Sequence, residues 1–125
     1  MPIEFSYDPE KKALFGAMTG SLSLDEYRSS VEAIVRSEEF PPDIRTLWDL
    51  RELEFTAIDR SLEVKLVSVS EQFPERSPAK IAFVVKSELG FGMIRMFELL
   101  ADKLAFRTMV FKSYSEAEAW LLQGD

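Results

Sequence analysis

Apolar positions recur along this chain in two rhythms, one of period two and one of period three to four, and the rhythms alternate. Ile3, Phe5 and Tyr7 are spaced by polar neighbours, the period of a half-buried strand. Asp8-Pro9 marks a turn, and Ala13 to Thr19 predicts a second strand. Leu14 and Met18 lie on one face of it, and Ala13, Phe15 and Ala17 on the other. A strand apolar on both faces is normally sandwiched between layers. Gly20 ends this strand, and Ser23 with Glu26 forms an S-x-x-E capping box. Leu24, Tyr27, Val31, Ile34 and Val35 then fall on one helical stripe, with Asp25, Arg28, Glu32 and Arg36 facing away. Pro41-Pro42 stops the helix.

Thr46 to Leu50 predicts a buried central strand with Asp49 at its carboxyl end. Thr56 and Asp59 repeat the cap pattern before a second helix, Ala57 to about Phe73, whose stripe is Ile58, Leu62, Leu66, Val69 and Phe73; Val64 and Val67 lie off it. Pro74 and Pro78 bracket a loop. Ala79 to Lys86 is the strongest strand, with Lys80 and Lys86 at its wet ends. Gly90 and Gly92 predict a sharp turn into a third helix, about Met93 to Leu104. Arg107 to Lys112 is the last strand, and Ser115 with Glu118 caps a closing helix, Glu116 to Leu122. The order β-β-α-β-α-β-α-β-α predicts an α/β domain spanning residues 1–125. One mixed five-stranded sheet is expected, mostly parallel, with an antiparallel N-terminal hairpin. Sequence neighbours are expected to pair, with the first strand at an edge and the larger helices on one face.

This succession resembles a known family. A hairpin and helix lead to a strand ending in Asp (LWDL), then a helix, an apolar strand (KIAFVV) and a late VFKSYSEAEAWL segment. The pattern is similar to the SpoIIAA-like group of STAS domains, described as STAS/CRAL-TRIO-like, and it runs over nearly the whole chain. The resemblance implies one of two roles. Anti-sigma-factor antagonists carry a phosphorylated serine after the third strand, in an Asp-Ser-Ser-Gly-like loop. The matching stretch, Asp49-Leu50-Arg51-Glu52-Leu53, keeps the Asp and lacks the serine and glycine, and Thr56 and Ser61 do not match the motif. No phosphorylation site is therefore assigned. The other branch resembles carriers of apolar ligands with a mobile helix beside a greasy pocket, and this sequence fits it better.

Composition narrows the chemistry. The 125 residues contain no His and no Cys. Imidazole acid–base catalysis, thiol chemistry, disulfides and the common zinc sites are excluded. No phosphate-binding glycine loop and no EF-hand pattern is present. Glu52, Glu54 and Asp59 form a carboxylate-rich stretch that reads as a solvated loop rather than an acid–base pair. The expectation is a protein that is not an enzyme and needs no cofactor. A net charge of −7 repels phosphate backbones and argues against nucleic acid as a partner. The start, MPIEFSYDPE, lacks the basic-then-apolar pattern of a secretory leader, so a cytoplasmic location is expected. Ten Phe supply a sizeable core for so short a chain.

The candidate ligand-binding residues are Trp48, Asp49, Phe91, Met93, Ile94 and Phe97. In open α/β sheets, ligands bind where strands end and helices begin, which singles out Asp49; the plainer reading is that it accepts backbone N–H bonds in the loop. Trp48 points away from Leu47 and Asp49, either into core or onto an uncovered face as an interface anchor. Met93, Ile94, Met96, Phe97, Leu100, Ala101 and Leu104 form a broad apolar arc, with Phe91 ahead of it and Leu99 on the other side. Flexible methionines suit a surface that accepts varied apolar partners, although most such stripes are plain core. Two roles follow. One is a non-catalytic module that binds an apolar small molecule or lipid, or contacts a membrane peripherally, through a mobile third helix. The other is a protein-interaction module that docks or forms a homodimer through apolar faces.

Overall fold

The computed structural model describes residues 3–124. Its elements run β1 (Ile3–Asp8), β2 (Ala13–Met18), α1 (Leu24–Arg36), β3 (Arg45–Asp49), a short 3₁₀ turn (Phe55–Ala57), α2 (Arg60–Glu71), a second 3₁₀ turn (Pro74–Arg76), β4 (Lys80–Val84), α3 (Glu88–Leu100), β5 (Arg107–Phe111) and α4 (Tyr114–Leu122). The sheet order is β1-β2-β3-β4-β5. β1 and β2 are antiparallel, and β2, β3, β4 and β5 are mutually parallel. The expected α/β class, mixed five-stranded sheet and edge position of the first strand all hold.

α1, α2 and α3 are the three crossovers between successive parallel strands. Crossovers of one hand that step steadily across a sheet lie on the same face. They cover that face with a core built on Leu14, Trp48, Ile81, Phe83 and Val110 from the strands and Ile34 and Ile94 from the helices. α4 follows the last strand and has no crossover to make. It packs on the opposite face, where Ala13, Leu47, Ala82 and Val84 meet Ala117 and Leu121. This second layer explains why β4 is buried at all five of its positions.

Every helix is capped by a side chain that accepts the backbone N–H three residues on: Ser23 from Glu26, Asp59 from Leu62, Ser87 from Gly90 and Ser113 from Glu116. Such a cap contributes about 1 kcal/mol. Three boundaries differ from expectation for this reason. α2 starts after Asp59 rather than near Thr56, which lies in the preceding 3₁₀ turn. α3 starts after Ser87, so Gly90 and Gly92 lie within its first turns and make no sharp entry; it ends at Leu100, short of Leu104. Ser113, not Ser115, caps α4.

Lys80 is also corrected: it is buried rather than wet. Its Nζ donates to the Trp120 carbonyl at 2.6 Å and lies 4.6 Å from the Trp120 ring centre, so the lysine stem is covered by α4 while its charge meets a carbonyl and a π face. Lys86 is exposed and pairs with Glu52 at 3.0 Å.

Candidate functional site

A cavity of about 90 Å³ lies between the sheet and the three crossover helices. The strands floor it with Met18, Trp48, Ile81 and Phe83; the loop after β3 adds Leu50, Leu53, Phe55 and Ile58; α3 closes it with Met93, Ile94 and Phe97. Leu22, Tyr27, Val31, Met93, Phe97 and Phe106 are only half-buried, so the cavity reaches the surface between them. A pocket of roughly 150 Å³ accepts benzene. This one suits a smaller guest as it stands and a single ring with a modest shift of wall side chains. Met93, unbranched and flexible, can make that shift at little cost.

Aromatic rings make up much of the cavity's lining. The Trp48 indole meets Phe5 edge-on at 6.2 Å, and Phe83 meets Phe97 in the same way at 6.2 Å. A Cβ built on Gly16 would lie 2.4 Å from the Trp48 ring, so glycine in β2 is what lets the indole approach the neighbouring strand this closely. Gly90 serves similarly, since a Cβ there would come within 2.9 Å of the Phe55 ring.

Five polar residues line this apolar space. Ser30, on α1, donates its Oγ to the Glu26 carbonyl of its own helix at 2.9 Å; the other four divide between the two ends of the cavity. Arg76, in the second 3₁₀ turn, is buried. Its Nη1 donates to the Pro42 and Ile44 carbonyls at 2.8 and 3.0 Å, and its Nη2 to Thr46 Oγ1 at 3.0 Å. Burial lowers its pKa to about 10, so it remains a cation at neutral pH. Near it, the Tyr27 hydroxyl and Ser70 Oγ lie 2.9 Å apart, and Ser70 also donates to the Leu66 carbonyl. Burial pushes the Tyr27 phenol upward. The fourth group is Glu63, in the first turn of α2. It is 3% exposed, it lines the cavity, and its Oε2 has no hydrogen-bond partner in the protein. Burial raises its pKa, and the nearby Arg60 charge only partly offsets this. Glu63 and Ser70 are seven residues apart on one helical face, about 10 Å along the axis.

Of the six candidate residues, Trp48, Met93, Ile94 and Phe97 meet at this cavity. Trp48 is core, 6% exposed on the helix-covered face, and not an anchor on an open sheet face. Phe91 packs against the same core without lining the cavity; its ring faces Lys112 Nζ at 5.7 Å. Asp49 is elsewhere. Its side chain projects to the α4 side, where Arg51 donates Nε to Oδ1 at 2.9 Å and Nη2 to Oδ2 at 2.8 Å, while the Arg51 backbone N–H also reaches Oδ1. The Arg51 guanidinium holds the Asp49 carboxyl below the usual range. Asp49 thus orders its own loop. Glu63, Ser70 and Arg76 were missed because each sits in a polar stretch. The available signal was spacing: Glu63 and Ser70 fall three before and four after Leu66, on its stripe.

Among the described residues there is no group of side chains able to hold a metal ion, and no helix is long and apolar enough to cross a membrane. No protein-family model matches the sequence. No curated protein matches it. Among solved structures, the chain is similar to an uncharacterized protein of the DUF3478 family from Shewanella loihica PV-4, which has a SpoIIAA-like fold. The TM-score is 0.66 and the identity 16%, over 95% of this chain and 91% of that one. At that identity the likeness speaks for architecture alone, and the architecture of this chain is SpoIIAA-like.

Proposed function

We propose that this protein is a non-catalytic binding module that takes a compact apolar molecule into the space between its sheet and its crossover helices. The observation that carries this reading is the cavity itself. It is walled by aromatic and aliphatic side chains, reaches the surface between half-buried residues, and retains a few polar groups at fixed points. Small-molecule sites commonly have this composition. The lid role for α3 rests on Met93, Ile94 and Phe97 forming one wall. Saturation-transfer NMR with toluene tests the reading. Transfer to toluene is expected with the natural chain and is expected to vanish when Ser30→Phe fills the cavity from α1. Equal transfer in both proteins would place binding elsewhere.

A second reading, docking onto a protein, a second copy or a membrane surface, is favoured by one observation. Leu89, Met96 and Leu99 are exposed on α3, Leu99 to 71%. Light scattering separates the two readings: a stable dimer that Leu99→Lys dissociates favours docking, and a monomer that binds toluene favours the cavity.

A further inference from the structure

A buried carboxylate oxygen with nothing to accept from is unusual, because an unmet acceptor in an apolar interior loses its hydration without replacement. Glu63 Oε2 is such an atom, and Glu63 lines the cavity. We infer that Glu63 is the polar anchor of the cavity's guest, receiving an O–H or N–H donor from a molecule whose remaining body is apolar: a compact alcohol or protonated amine. This inference rests on the cavity reading above and specifies the guest's chemistry.

The other polar end of the cavity does not compete for this role. Arg76 already donates to the Pro42 and Ile44 carbonyls and to Thr46. These bonds brace the loop leading into β3 and hold the guanidinium against backbone. The Tyr27 and Ser70 hydroxyls are bonded to one another, and Ser70 to its own helix. Of the polar groups at the cavity, Glu63 alone presents a buried acceptor atom with no protein partner. Arg60, one turn earlier on α2, favours the ionised form of Glu63 but gives Oε2 no hydrogen bond. A guest oriented by Glu63 would lay its apolar body toward Trp48, Phe83 and Phe97.

A matched series tests this: toluene, benzyl alcohol, benzylamine and benzoate, each titrated into the full chain by ligand-observed NMR. Benzyl alcohol or benzylamine is expected to bind about tenfold or more tightly than toluene, the range of a hydrogen bond to a charged group. Whichever leads identifies the donor as neutral or cationic. Glu63→Leu is expected to erase that preference while toluene still binds. Glu63→Gln is expected to keep an alcohol preference and lose an amine one, and it serves as the conservative control for folding. A preference that survives Glu63→Leu, equal binding of toluene and both donors, or benzoate as the tightest ligand would overturn the anchor role and leave the cavity reading standing. No binding of any of the four would remove both.

Discussion

The two faces of the sheet were built to different standards. Under α4, Ala13, Leu47, Ala82, Val84, Ala117 and Leu121 are all completely shielded from solvent. Three of these six are alanines, and small residues let a helix settle close to the strands. Half-buried Phe15, Phe111, Tyr114, Trp120 and Leu122 rim that layer. Under α1, α2 and α3 the buried set itself includes the aromatics Phe40, Trp48, Phe55 and Phe83, and a cavity remains with polar groups opening onto it. One face is a packing solution and the other leaves volume unfilled. Interiors normally approach the density of organic crystals, and the proposed binding role is therefore assigned to the looser face.

The largest expected test of this contrast is a pair of truncations. Leu47→Ala, on the tight face, is expected to cost about 4 kcal/mol by urea denaturation, while Leu66→Ala beside the cavity costs about 2 to 3, because a side chain bordering a void makes fewer contacts to lose. Equal losses would mean that the two faces are equally well packed. Next comes Arg76→Met, which leaves the Pro42 carbonyl without its donor and the Ile44 carbonyl with Thr46 Oγ1 alone, and is expected to cost about 2 to 3 kcal/mol.

Glu63→Leu is expected to go the other way, adding about 2 kcal/mol at neutral pH by removing a buried carboxylate. The sign with pH follows from the raised pKa of Glu63. The folded protein holds that proton more tightly than the unfolded chain. Its stability contribution is therefore full below the ordinary value of 4.5 and is lost as pH rises through the raised value. The advantage of Glu63→Leu should shrink as thermal melts are moved from neutral pH to below 4.5. An advantage that grows on acidification would mean that Glu63 is ionised and well satisfied in the fold. The smallest expected effect is Gly92→Ala, which adds about 0.5 to 1 kcal/mol because a Cβ there meets nothing within 4 Å and glycine weakens a helix. If α3 opens to admit the guest, the same substitution will slow toluene exchange.

The sheet order was legible because strand and helix rhythms alternate cleanly and consecutive strands pair as neighbours. The helix starts were less so. Asp59, Ser87 and Ser113 each act as caps, but Thr56, the glycines near Phe91 and Ser115 offered competing signals within a few residues. At the site, the apolar wall of Trp48, Met93, Ile94 and Phe97 could be read from periodicity. Its polar members could not: a glutamate in RSLEVK looks solvated until tertiary packing buries it. Asp49 illustrates the reverse. Its place at a strand end suggested a ligand contact, and Arg51, two residues on, takes both carboxylate oxygens.

The two tryptophans fall one on each side of the sheet. Trp48 borders the cavity, and Trp120 lies in the α4 layer over Lys80. Each compartment thus contains its own intrinsic fluorophore. Trp120→Phe would leave a protein whose emission reports the cavity alone, so that occupancy can be followed optically without a label, and Trp48→Phe would supply a silent counterpart.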